Sequence, residues 1–151
     1  MSAAIPGGVP RCTSVMLQHG FVRVAAALPR VRVADCAFNA ERIVQLLDEA
    51  EKQTVHILVF PELAITGYTC GDLFHQTALQ KTALHALDHL LNESEQRYSG
   101  LFILGLPWLV GDQLYNVPAI CQKGQLLGVV PKSYLPTYKE FYETRWFVPG
   151  T

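Results

Sequence analysis

The sequence predicts an α/β fold, because compact apolar runs alternate with segments of helical periodicity before giving way to a pair of strand-like runs joined by a glycine turn. Phe21 to Leu28 is a short, nearly continuous apolar run, which suits a strand covered on both faces. From Asn39 onward Ile43, Leu46, Leu47 and Ala50 recur at three- and four-residue intervals with Glu41, Arg42, Asp48, Glu49 and Lys52 between them, the pattern of an amphipathic helix. Val55 to Phe60 is a second apolar run, ended by Pro61, and a strand–helix–strand order favours parallel pairing with a right-handed crossover. Helical spacing returns from Ala78 to Leu91 through Leu79, Ala83, Leu84, Leu87, Leu90 and Leu91, and Leu101 to Leu106 makes a third buried strand. After Pro107, Leu114 to Gln122 and Gln125 to Val130 read as strands joined by a tight hairpin turn at Lys123-Gly124. The predicted order is β-α-β-α-β-β-β, followed from Pro131 by an aromatic, proline-bearing loop.

Composition narrows the function. The 151 residues are 50% hydrophobic and 17% charged with a formal net charge of -1, the balance of a single soluble domain. The Lys and Arg residues are scattered and not interleaved with aromatics, so a nucleic-acid partner has no electrostatic basis. Met1 to Gly20 lacks the basic start and apolar core of a signal peptide, and Arg23, Pro29, Pro61, Glu62 and Pro107 interrupt every candidate membrane span. A cytoplasmic location is expected. Cys12, Cys36, Cys70 and Cys121 form no C-x-x-C pair and are expected to be reduced thiols. His85 and His89 have the four-residue spacing of metal ligands, yet no Glu follows the first, so helix-packing histidines are expected and no metal.

Two charged residues stand out by position. Glu62 directly follows an apolar strand and Pro61, at the strand's C-terminal mouth, where open α/β sheets place their sites. Leu63 and Ile65 beside it predict partial burial, as suits a general base. Lys132 likewise follows an apolar strand and Pro131. Either charge alone reads as a solvated loop residue; two at two strand mouths suggest a common pocket.

Phe60-Pro61-Glu62-Leu63-Ala64-Ile65-Thr66-Gly67-Tyr68 resembles the first signature of the nitrilase superfamily, F-P-E-x-x-x-x-G-Y, and Pro131-Lys132-Ser133-Tyr134-Leu135-Pro136 resembles the second. Within that superfamily, the segments from Gln18 to Ala25, Gly67 to Phe74 and Ser133 to Glu143 are most similar to the glutaminase domain of bacterial glutamine-dependent NAD synthetases. The resemblance runs from about Gln18 to Gly150 and leaves Met1 to Leu17 as a divergent or flexible N-terminus.

The resemblance implies residues 18–151 as a partial glutaminase domain, the first half of an α-β-β-α sandwich, with the ATP-dependent synthetase domain absent. It implies a Cys-Glu-Lys triad in which Glu62 moves the proton and Lys132 stabilises the oxyanion. By the same resemblance Glu140 orients the lysine and substrate, with Glu143 as the second candidate, and Tyr68 and Tyr138 line the glutamine pocket. The family's nucleophile follows the lysine by several dozen residues, so Cys121 and Cys70 are not assigned to it and this segment alone is expected to be inactive. No cofactor is expected in this segment; ATP and Mg belong to the synthetase domain, whose substrate is deamido-NAD, and the full-length protein is expected to be a homo-oligomer. Two alternatives stay open: another C–N hydrolase of the superfamily (amidase, nitrilase or carbamoylase), or a non-catalytic half-domain acting as a binding module.

Overall fold

A computed structural model describes residues 20–150. The expectations for Met1 to Leu17, for Cys12 and for the start of the Gln18 to Ala25 segment lie outside the described residues. The strands are β1 (Val24–Ala26), β2 (Ile57–Val59), β3 (Leu101–Val110), β4 (Gln113–Gln122) and β5 (Gln125–Val129), and the helices are α1 (Cys36–Lys52) and α2 (Thr77–Arg97). They follow the predicted order and form one sheet in which each strand neighbours the next. β1, β2 and β3 are parallel, while β3–β4 and β4–β5 are antiparallel.

Helix α1 starts earlier than its apolar periodicity does, because Asp35 caps it, its carboxylate accepting from the Phe38 amide at 3.1 Å. Helix α2 runs past Leu91 to Arg97, where the last turn is supported by the Arg97–Glu93 pair at 2.6 Å. The hairpin turn at Lys123-Gly124 has positive φ at both residues (45° and 77°), the geometry of a turn that matches strand twist.

Alternation along the strands decides what each face meets. Phe102, Leu104 and Leu106, with their cross-strand partners Cys121, Ala119 and Val117, are fully buried under the helices together with Ile43 and Leu47 of α1 and Leu87 and Leu90 of α2. The opposite face carries Val24, Val59 and Val130, all exposed, and no helix among the described residues covers it. The described residues form one helical layer on one sheet, the α-β half of the expected sandwich.

Two strand expectations are corrected. Phe21 to Leu28 does not form a doubly covered strand: only Val24–Ala26 pairs, Phe21 is 70% exposed and Leu28 82%, because β1 is an edge strand with a single neighbour. Conversely β3 does not end before Pro107 but continues to Val110. β2 stops opposite Ile103, so Pro107 sits where β3 has a strand on one side only, a place that tolerates proline in a ladder.

Candidate active site

Glu62 is delivered by a tight turn at the exit of β2. Phe60 still bonds in sheet fashion, its amide donating to the Ile103 carbonyl at 2.8 Å, and Pro61 then ends the strand. Leu63 takes a left-handed φ of 51°, which a branched side chain rarely adopts and which costs about 1 kcal/mol. The carbonyl of Leu63 accepts from the amides of Thr66 (3.1 Å) and Gly67 (2.7 Å), and the Ile65 amide donates to the Gly105 carbonyl. The turn lies directly on β3 at Gly105: a Cβ there would overlap the Leu63 amide and stand 3.0 Å from Glu62 backbone atoms. Gly105 is therefore the residue that lets the Glu62 turn approach the sheet.

Lys132 is held on both sides of its backbone. Its amide donates to the Asn116 carbonyl on β4 and its carbonyl accepts from the Gly150 amide, each at 2.9 Å. From this position its ammonium donates to Glu62 Oε1 at 2.6 Å and to both oxygens of Glu143, at 3.0 and 2.9 Å. The two residues singled out at two strand mouths thus meet, across seventy positions of sequence. The Asn116 amide group also donates to Glu62 Oε1, at 2.6 Å. Both donors use the same oxygen, and Oε2 of Glu62 has no partner among the described residues.

The remaining expectations divide. Tyr68 joins the cluster, its hydroxyl donating to Glu143 Oε1 at 2.6 Å. The carboxylate that pairs with Lys132 is Glu143 and not Glu140, which is exposed and makes no ion pair among the described residues. Glu143 opens a short 3₁₀ turn, Glu143–Arg145, that turns it inward to 1% exposure, whereas Glu140 lies on the outer part of the loop. Tyr138 is 73% exposed, with the Lys139 ammonium 5.4 Å from its ring centroid, and is not part of the cluster. Glu62 is less enclosed than expected, with 40% of its side chain exposed, because Leu63 and Ile65 turn into the core while it stays at the surface of the uncovered face.

Electrostatics follow from these contacts. Partial burial draws the Lys132 ammonium down, but hydrogen bonds and charge from Glu62 and Glu143 outweigh it and its net shift is upward, so it stays cationic. Burial first, and then the hydrogen bond and charge of Glu143, push the Tyr68 phenol above the usual tyrosine range and keep it a donor. A cavity of about 330 Å³ opens beside the cluster, with Glu62, Asn116 and Lys132 at its polar end and Val59, Ile103, Pro118 and Val130 among its apolar walls. An acid–base group and a fixed cation at the end of an apolar pocket can bind a small neutral polar group, move a proton and stabilise negative charge on oxygen.

None of the three described cysteines joins this cavity. Cys36, Cys70 and Cys121 are buried and unpaired, and burial raises each thiol, Cys121 to about 12. His89 bonds Glu41 at 3.0 Å, tying α2 to α1, and among the described residues no group of three or more His, Cys, Asp or Glu could hold a metal. No helix among the described residues is long and apolar enough to cross a membrane. Sequence reasoning missed Asn116 and Gly105, although an Asn within Leu114-Tyr115-Asn116-Val117 and a Gly within an otherwise bulky strand were visible.

The chain is similar to known proteins over most of its length. It is 40% identical over 133 residues to the glutamine-dependent NAD(+) synthetase of Mycobacterium tuberculosis, covering 88% of this chain and 19% of that protein. The Aquifex aeolicus protein of the same name is 36% identical over 118 residues, 20% of its length. The chain thus spans about a fifth of these curated relatives. Among solved structures, a glutamine-dependent NAD(+) synthetase from Cytophaga hutchinsonii superposes with a TM-score of 0.79 at 30% identity, over 85% of this chain and 22% of that one. An amidase from Nesterenkonia sp. shares the fold, with a TM-score of 0.74 at 23% identity over 86% of this chain and 48% of that one. Residues 23–151 match the carbon-nitrogen hydrolase family model, and the chain belongs to that family.

Proposed function

We propose that this chain carries the acid–base and oxyanion-binding part of a glutamine amidohydrolase centre, whose ammonia serves the amidation of deamido-NAD to NAD in a glutamine-dependent NAD synthetase. The observation that carries this reading is the meeting of Glu62 and Lys132 at 2.6 Å beside one cavity. The names of the relatives, at up to 40% identity, supply the choice of glutamine. ATP and Mg would act at a synthetase site made by other residues.

In this reading a thiol from outside the described residues gives its proton to Glu62 and attacks the side-chain amide carbon of glutamine. The carbonyl oxygen becomes negative opposite Lys132, whose fixed charge lowers the barrier without reorganisation. Collapse breaks the C–N bond as Glu62 returns the proton to the departing nitrogen, releasing ammonia and leaving a glutamyl thioester. Water, deprotonated by Glu62, then frees glutamate and restores the thiol. Oε2 of Glu62 is the oxygen suited to this traffic, because Asn116 and Lys132 already occupy Oε1. The segment alone, lacking a cavity-lining thiol among its described residues, is proposed to be inactive.

The test is kcat/KM of the full-length protein for glutamine beside a simple aliphatic amide, a nitrile and an N-carbamoyl amine. Glutamine should be preferred by at least about a hundredfold, the discrimination available to a site that pairs the substrate's polar groups. Faster turnover of any of the other three would overturn the substrate assignment.

A further inference from the structure

Glu143 is buried against Lys132, yet it sits on a three-residue 3₁₀ turn in a long irregular segment, an element too short to hold a charged side chain in place unaided. The opposing segment, Gly67 to His75, supplies the hold. Tyr68, Asp72 and His75, spaced by four and then three residues, each touch that turn. Tyr68 donates to the Glu143 carboxylate at 2.6 Å. Asp72 accepts from Arg145 Nε (2.7 Å) and Nη2 (2.8 Å) and from the Trp146 indole at 2.9 Å. His75 Nε2 lies 3.2 Å from the Arg145 carbonyl oxygen. Between them Phe74 packs on Trp146 and Phe147, with ring centroids 5.9 and 4.9 Å apart.

We propose that Asp72 is a positioning residue for amide hydrolysis: it latches the Glu143–Arg145 turn, and through that turn fixes Glu143 and the direction of the Lys132 ammonium. The inference rests on the function proposed above in one respect only, that Lys132 serves the reaction. The geometry is of the kind in which a solvent-exposed pair does more than the usual surface salt bridge. Arg145 meets Asp72 through two parallel hydrogen bonds, the indole adds a third, and the guanidinium's planar fork fixes direction as well as distance. Only one residue, Thr144, separates the latched Arg145 from Glu143, so a rotation of the turn that breaks the latch also carries the Glu143 carboxylate away from Lys132. The hydrogen-bonding pattern accounts for the Asp72 carboxyl lying far below the usual carboxylate range, with Arg145 the main cause and Trp146 the next.

The test is steady-state glutamine hydrolysis by the full-length protein carrying Asp72→Asn, Asp72→Ala, Arg145→Asp, or the exchanged pair Asp72→Arg with Arg145→Asp, together with a crystal structure of the Asp72→Ala protein. Asp72→Ala should lower kcat about tenfold with KM changed less than about twofold, the signature of a loss felt in the transition state. The melting temperature should fall by several degrees, because the displaced Glu143 gives up its pairing with Lys132, while unfolding stays cooperative. Asp72→Asn should fall between parent and Ala, and the exchanged pair should recover part of the activity that Arg145→Asp loses. In the crystal structure of the Asp72→Ala protein, Glu143 should have moved out of hydrogen-bonding reach of Lys132. Unchanged kcat, or a Glu143–Lys132 pair still intact in that crystal structure, would overturn the latch. Should the parent protein hydrolyse no glutamine, the functional reading fails by itself, and the crystal structure still decides whether Asp72 positions Glu143.

Discussion

At the scale of single residues, the site is a carboxylate, an ammonium and their supports, and the pH behaviour of stability follows from the groups that folding shifts. Lys132 is drawn down by partial burial but raised on balance by Glu62 and Glu143; Tyr68 is raised by burial and Glu143; Cys121 is raised to about 12 by burial. A group whose pKa rises on folding binds more protons folded than unfolded. Its stabilisation is complete below its unfolded value and is lost as the pH climbs through the folded one. All three therefore act with the same sign, and unfolding free energy should decline from about pH 9 upward. Lys132→Met leaves the Glu143 carboxylate buried without its cation and should cost about 3 kcal/mol at pH 7, the low end for a broken buried pair because Lys132 keeps 28% of its surface. Urea unfolding from pH 7 to 11 should show the gap between the two proteins narrowing above the ordinary lysine range; a constant gap would contradict this. Glu62 and Lys132 were legible in the sequence because each follows an apolar strand and a proline. Glu143 was legible only as the second candidate after Glu140, because the two share one loop and only the inward 3₁₀ turn separates them.

At the scale of elements, the parts most legible in sequence were those with long periodic patterns. Both helices, the β3–β4–β5 meander and the Lys123-Gly124 turn follow from spacing and turn chemistry. β1 was misjudged because an apolar run says nothing about how many neighbours a strand has, and Phe21 and Leu28 are left outside the ladder. The end of β3 was misjudged because a proline breaks a ladder only where a partner strand needs its amide. Gly105 belongs to the same class of tertiary facts: its role is set by the Glu62 turn lying on it, far away in sequence. Gly105→Ala should push that turn off β3, costing about 1–3 kcal/mol by overpacking and lowering glutamine hydrolysis with it. Chemical denaturation together with turnover checks this, and an Ala protein with parental stability would show that the turn has room to move.

At the scale of the whole molecule, the sheet has one side covered by helices and one side left open among the described residues. Helices α1 and α2 bury Phe102, Leu104 and Leu106, whereas Val24, Val59 and Val130 face outward on the side where Glu62 and Lys132 converge. An apolar face with a charged cluster at its end is the arrangement in which a covering layer would both complete a core and exclude water from the charged groups. The sandwich expectation came from the resemblance, and the open face is its physical counterpart in this chain. The measurement that bears most directly on the central claim is release of ammonia from amide-labelled glutamine by the full-length protein, compared with its Glu62→Gln variant. Replacing the carboxylate with an amide of the same shape removes the proton acceptor but leaves a partner for Lys132, so kcat should fall at least about a hundredfold with the fold retained. A Glu62→Gln protein that released ammonia at the parental rate would contradict it.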